Sequence, residues 1–206
     1  MAHGKGVANN VEAGNGNRVG DGDHQMQRKS KNNNVIIWLH FVLRVFAFLA
    51  SLGATLVMAL NKEKKTIVVA TIGTTPIQAT LTANFQQTPA FVFFVIANGM
   101  VSLHNLLMFV VELIGHKFDH KGHRLSVIPI LDMLNAVLLS GGTNAALFMG
   151  QLGRDGNSHA RWNKICDKFD SFCNHGSIAI IASSVGLLLM LTLNTIAIFK
   201  HPQQHK

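Results

Sequence analysis

Val35–Leu60 reads VIIWLHFVLRVFAFLASLGATLVMAL, and Arg44 stands inside it. A run of this length can cross a hydrocarbon core of about 30 Å at 1.5 Å per residue. A charge near the bilayer centre costs about 2.5–3.5 kcal/mol, so Arg44 needs a partner. The run Val127–Met149, VIPILDMLNAVLLSGGTNAALFM, supplies one in Asp132. One charge of each sign in two different spans predicts an ion pair inside a polytopic membrane protein.

Two further apolar blocks complete the set. Ala90–Ile114 follows Pro89, a residue suited to a helix start, and Gly176–Phe199 lies near the end of the chain. The expected fold is an all-α membrane protein, a bundle of four transmembrane helices over about 35–60, 90–114, 127–149 and 176–199. Pro129 falls in the first turn of span three, and no span is expected to hold an interior proline.

The chain has 206 residues, of which 48% are hydrophobic and 14% charged. Its net charge of +8 is spread over the polar segments, which points to anionic lipid headgroups rather than nucleic acid. Residues 1–34, polar and rich in Gly and Asn, are read as a disordered cytosolic tail. They show no cleavable signal, so span one is expected to act as an uncleaved anchor. The segment 200–206 is a second cytosolic tail.

Four spans put both termini on one side. That side carries ten Lys and Arg (five in the first tail, three in 115–126, two in the last tail) against seven in 61–89 and 150–175. The count favours cytosolic termini. Arg44 then lies roughly 13 Å into span one, and Asp132 roughly 8 Å into span three from the same side. A snorkelling Arg side chain covers that difference.

Helical spacing extends the polar seam. His40, Arg44, Ala47, Ser51 and Thr55 share one face of span one. Asn98, Asn105 and Glu112 share a face of span two, and Asp132, Asn135, Gly142, Ala146 and Gly150 a face of span three. The pairs Gly141/Ala145, Gly142/Ala146, Ala179/Ser183 and Ala182/Gly186 have the small-residue spacing that lets helices approach closely. These faces should turn towards other spans or a neighbouring protomer. The competing reading of such a seam is a proton or substrate path.

Thr66–Thr82, TIVVATIGTTPIQATLT, is an uncharged β-branched run suited to a hairpin or to lying along the membrane face. Cys166 and Cys173 occupy one loop on the same side, with Trp162, Phe169 and Phe172 around them. Two cysteines in an oxidising compartment read as a disulfide. Closing so short a loop contributes about 2–3 kcal/mol in the chain-entropy view. The aromatics would fold over the bridge or sit at the interface.

Other chemistry is weakly signalled. His116, Asp119, His120 and His123 have metal-like spacing, but a short basic loop is more often solvated, with Lys117, Lys121 and Arg124 facing lipid. The sequence holds no phosphate-cradling glycine loop and no nucleophile elbow. No catalytic, cofactor or metal site is assigned.

The residues quoted above together resemble the CASP-like family, relatives of the Casparian strip membrane domain proteins, over about Val35–Lys200. In that family an Arg in span one and an Asp in span three are hallmarks, and Arg44 and Asp132 stand in those places. The segment with Trp162, Cys166, Phe169, Phe172 and Cys173 resembles the family's second extracellular loop. The stretch TANFQQTPAFVFFVIAN resembles the start of span two in one subgroup.

The resemblance implies a multi-pass plant plasma-membrane protein related to the MARVEL tetraspans. It implies homo-oligomers, and hetero-oligomers with relatives, and a scaffold that recruits cell-wall-modifying partners. The founding members carry an acidic and aromatic signature ending Phe-Phe-Thr-Gln-Phe. Asn84–Gln87 stand in its place here, which implies a general membrane-domain role. The expected function is non-catalytic scaffolding; the alternative is a small transporter or channel subunit built on Arg44 and Asp132.

Overall fold

The computed structural model describes residues 16–115 and 124–200. The histidine group of the 116–123 segment, the first 15 residues and 201–206 lie outside the described residues. By contacts the chain divides into two units, Met1–Leu39 and His40–Lys206, and the second holds the bundle. In chain order the elements are α1 (Gly16–Ala59), β1 (Lys62–Ile72), β2 (Thr75–Asn84), α2 (Pro89–Gly115), α3 (Arg124–Asp155) and α4 (Asp170–Lys200), with a short 3-10 turn at Phe85–Gln87.

Four helical stretches are long and apolar enough to cross a membrane: Val35–Ala59, Pro89–Ile114, Ile128–Asp155 and Asp170–Ile198. They fall on the four apolar blocks of the sequence. The boundaries differ in instructive ways. α1 reaches back to Gly16, through residues expected to lack regular structure. Extending a nucleated helix fixes one residue per added hydrogen bond, so polar residues can join it. α3 begins at Arg124, which puts Pro129 inside the helix rather than in its first turn. The proline lacks the N–H that would bond back to the Leu125 carbonyl, one turn earlier.

α3 ends where Gly156 adopts φ +70 and donates its N–H to the Leu152 carbonyl at 2.9 Å. A left-handed glycine just past the last turn is a common helix stop. α4 starts six residues before its apolar run, so Phe172 and Cys173 are helical rather than in the loop. Asp170 in its first turn suits the positive end of the helix. α2 opens at Pro89 after all.

α2 packs along α3, and α3 along α4. From His40 onward α1 closes the ring. Thr55 meets Gly99 of α2, and Ala50 lies 3.5 Å from where a Cβ on Gly186 of α4 would stand. At Gly142 of α3 an added Cβ would sit 2.8 Å from that of Ala97, so this glycine sets the approach of α2 and α3. Two apolar layers fill the bundle. One, at the end bearing the hairpin, is built on Met58, Phe91, Phe94, Ala146, Phe169, Phe172 and Ile180. The other is built on Ala47, Val101, Ala136, Leu139, Met190 and Leu193.

The β-branched run forms an antiparallel hairpin, so the fold is not purely helical. Its register runs from Lys62 opposite Asn84 to Ile72 opposite Thr75, with a bulge between Val68 and Ala70. The two-residue turn opens with Gly73 at φ +63, the position at which such turns require a glycine. A lone two-stranded hairpin is marginal in water. Here its base is tied to α4: Phe172 donates its N–H to Glu63 Oε2 at 2.8 Å, and Asn61 Nδ2 donates to the Phe172 carbonyl at 2.8 Å.

The Phe172 N–H holds the Glu63 carboxyl below its ordinary value of 4.5, with Lys65 assisting at 3.3 Å. A lowered folded-state pKa stabilises the fold above the unfolded value, and this is lost as pH falls through the folded one. Glu63→Gln is therefore expected to lower the melting temperature of the detergent-solubilised protein at neutral pH. The gap to the parent should close once the pH drops below the carboxylate range. A gap that stays constant with pH would show that the carboxylate plays no part.

Candidate functional site

The buried charges sit towards the end of the bundle away from the hairpin. Arg44 arrives on α1 and Asp132 on α3, each almost wholly buried, at 1% and 2% exposure. Arg44 Nη2 donates to Asp132 Oδ2 at 2.8 Å, and Nη1 to Oδ1 at 3.3 Å. This is the paired fork that matches a guanidinium to a carboxylate. In the helix ring α1 and α3 are diagonal, so the pair runs through the centre.

α2 adds two groups. His104 Nε2 lies 2.6 Å from Asp132 Oδ1. With Asp132 ionised, that nitrogen must carry the proton and donate. Glu112 stands in the last turn of α2, where the helix dipole disfavours a carboxylate. His40 Nδ1 and Arg44 Nε approach its Oε1 at 3.5 and 3.6 Å. Five ionisable residues from three helices thus form one cluster, sealed at Arg44–Asp132 and more open at His40–Glu112.

A second polar contact lies between the two apolar layers. Asn98 of α2 anchors its Nδ2 on the Phe94 carbonyl and accepts from Ser183 Oγ of α4 at 2.8 Å. Ser183 Oγ is 2.7 Å from Thr143 Oγ1 of α3, itself 2.7 Å from the Leu139 carbonyl. Two hydroxyl protons serve these three contacts. If Thr143 donates to Ser183 and Ser183 to Asn98, only the Leu139 carbonyl goes without, and that carbonyl already accepts the helix hydrogen bond. This link joins the other diagonal, α2 to α4.

The remaining seam residues separate into two groups. Ser51 is buried and donates to the Ala47 carbonyl at 2.9 Å; Asn105 is buried and donates to the Val101 carbonyl at 3.0 Å and towards Met190 Sδ at 3.4 Å. Asn135 does not join the buried face. It lies on the flank of α3 and bonds back to the Leu131 carbonyl at 2.8 Å, while the buried line runs Asp132, Ala136, Leu139, Thr143, Ala146.

At the hairpin end Cys166 and Cys173 are bridged, with Cα atoms 5.7 Å apart. The three aromatics diverge. Phe169 and Phe172 enter the core, and Phe172 meets Phe91 edge-on with ring centroids 6.1 Å apart. Trp162 stays 55% exposed and does not fold over the bridge.

A chain with a buried Arg in the first span, an Asp in the third and a disulfide reaching into the fourth helix has sequence relatives among known proteins. The Casparian strip membrane protein domain matches residues 33–189. The chain belongs to the CASP-like family. It is 64% identical over 163 residues to CASP-like protein 1B1 of Populus trichocarpa, covering 79% of this chain and 84% of that one. It is 62% identical over 156 residues to CASP-like protein 1B2 of Arabidopsis thaliana, covering 76% and 79%. These likenesses place it in the 1B subfamily, a group of multi-pass membrane proteins. No solved structure matches the chain.

Charge inside an apolar span brought Arg44 and Asp132 to notice, and helical spacing Glu112, but neither found His104 or Thr143. His104 carried a usable signal, since an ionisable residue inside a span is a candidate by default. Removing one partner of a buried pair costs about 3–5 kcal/mol. Arg44→Ala and Asp132→Ala are therefore expected to misfold and stay in the endoplasmic reticulum. Loss of a hydrogen bond to a charged group costs about 1.5–3 kcal/mol, the expectation for His104→Ala. His40→Ala, at the open end, should cost under about 1 kcal/mol. Surface delivery and thermal unfolding of the four variants check this order; equal, normal delivery would remove the cluster's structural role.

Proposed function

We propose that this CASP-like chain is a non-catalytic scaffold of the plasma membrane that self-associates, with both termini cytosolic. The observation that carries the reading is Asn144. It is exposed on the outer face of α3, near the middle of the Ile128–Asp155 span. Its Nδ2 donates to the Ser140 carbonyl at 2.8 Å and lies 3.3 Å from Ser140 Oγ. Its Oδ1 has no donor among the described residues. A carboxamide oxygen in hydrocarbon without a donor is costly, and a second span bringing a donor relieves that cost.

Gly141 beside it is also exposed, so another helix can come close. The partner argued for is a second copy or a CASP-like relative. The disulfide supports placing the hairpin end outside the cytosol, where it would recruit wall-modifying partners. The sealed Arg44–Asp132 pair supports a clamp in preference to a conducting path. Lipid covers the rest of the outer face, where Leu134, Val137 and Phe148 are exposed.

Fluorescence recovery after photobleaching of a tagged copy in a plant plasma membrane tests this. The expected result is slow, incomplete recovery within patches. Asn144→Leu should reach the surface and recover faster and more completely. Fast, uniform recovery of the parent would overturn the scaffold and leave the transporter or channel-subunit reading.

A further inference from the structure

Outside the charge cluster, a cleft of about 1470 Å³ opens at the disulfide end, between the α3–α4 segment and the start of α2. Its lower wall is apolar, with Leu147 and Ile181, and its rim is polar. Trp162 stands on that rim.

The loop that carries Trp162 is stiff. Asn157 and Trp162 exchange both backbone hydrogen bonds, each at 2.9 Å. Asn157 Oδ1 accepts from the N–H groups of His159 and Ala160 at 3.1 Å. Gly156 is left-handed, and a Cβ there would meet the Trp162 carbonyl at 2.8 Å. Arg161, next to the tryptophan, holds φ +56, a region seldom used by a long side chain. Backbone strain of this kind is worth asking about when it positions one side chain. The Cys166–Cys173 bridge then fixes the end of the loop to α4. An indole this exposed on so constrained a segment is a surface held ready for something flat.

Around it, Asp155, Asn163, Asp170 and Asn174 line the same cleft. None makes a side-chain hydrogen bond or ion pair among the described residues. Solvent satisfies any one of them; together, lining one cleft with an indole, they supply the few polar groups that ligand sites carry. The charge decides the ligand class. Arg154 is the single cation on the rim against two carboxylates, which disfavours phosphate and sulfate. Carboxylates and carboxamides both pair with hydroxyls, and an aromatic face packs against an apolar C–H surface.

We propose that this cleft binds a neutral saccharide, one pyranose face on Trp162 and its hydroxyls on Asp155, Asn163, Asp170 and Asn174. The volume holds several sugar rings, and the apolar lower wall suits the tail of a lipid-linked sugar. The proposal does not depend on self-association.

The chain has two tryptophans, so Trp38→Phe leaves Trp162 as the sole fluorophore. The test uses the full-length Trp38→Phe protein in phosphatidylcholine nanodiscs. Cellotriose is titrated in solution, or glucosylceramide is added to the bilayer. The expected result is a saturable change in Trp162 emission with at least one of them. Asp155→Asn or Asn163→Ala, both on exposed residues without intramolecular partners, should weaken half-saturation about tenfold. A response to cellotriose identifies a free glycan, and a response to glucosylceramide alone a lipid-linked one. No saturable change with either would overturn the site. So would a response that survives both substitutions, or an equal one to phosphatidylglycerol, which would make Trp162 an interface anchor.

Discussion

A guanidinium and a carboxylate facing each other across the centre of a helix bundle constrain everything around them. Arg44 and Asp132 cannot leave the pair without leaving a charge in a low-dielectric interior, where desolvation is severe. Their helices are diagonal, so the pair fixes how far apart α1 and α3 stand. It also fixes their relative height, because the fork tolerates little sliding along the helix axes. α2 is drawn into the same point through His104, and its last turn through Glu112. Apolar side chains alone would not fix the register this way, since lipid tails are as apolar as leucine and give spans little hydrophobic reason to associate.

The second diagonal is neutral and sits deeper. Asn98, Ser183 and Thr143 join α2, α4 and α3 by short hydroxyl and amide contacts, with apolar layers on either side. Charge at one level and hydroxyls at the next leave few alternative registers with every group satisfied. Close backbone approach at Gly142 and Gly186 makes such short contacts reachable. At the far end Asn61 and Glu63 grip both backbone groups of Phe172, so the hairpin and the first turn of α4 support each other.

Most of this architecture was legible in the sequence, because hydrocarbon thickness makes spans conspicuous and an isolated charge within one demands an explanation. Arg44 and Asp132 announced each other for that reason. Helix ends were less legible. The early start of α4 depends on Glu63, which is distant in sequence, and on Asp170, which sits outside the apolar run. Asn135 misled because a residue three positions after Asp132 lies about 60° round the helix from it, off the buried line through Ala136 and Leu139. His104 was hidden by its neighbour Asn105, which fits the polar stripe by spacing alone. Trp162 was left with two readings, over the bridge or at the interface, because its exposure is set by the backbone of Gly156 and Arg161, which composition does not reveal.

The two halves of the central pair are separated by 88 residues, and a ribosome makes them at different times. At about 5–20 residues per second, Arg44 is synthesised about 4–18 s before Asp132. Throughout that interval span one holds a cation whose final counter-charge does not yet exist. Span two arrives first and brings Glu112, which still lies 3.6 Å from Arg44 in the finished fold. Of the two acids that face Arg44, Glu112 therefore enters the growing chain first and Asp132 second.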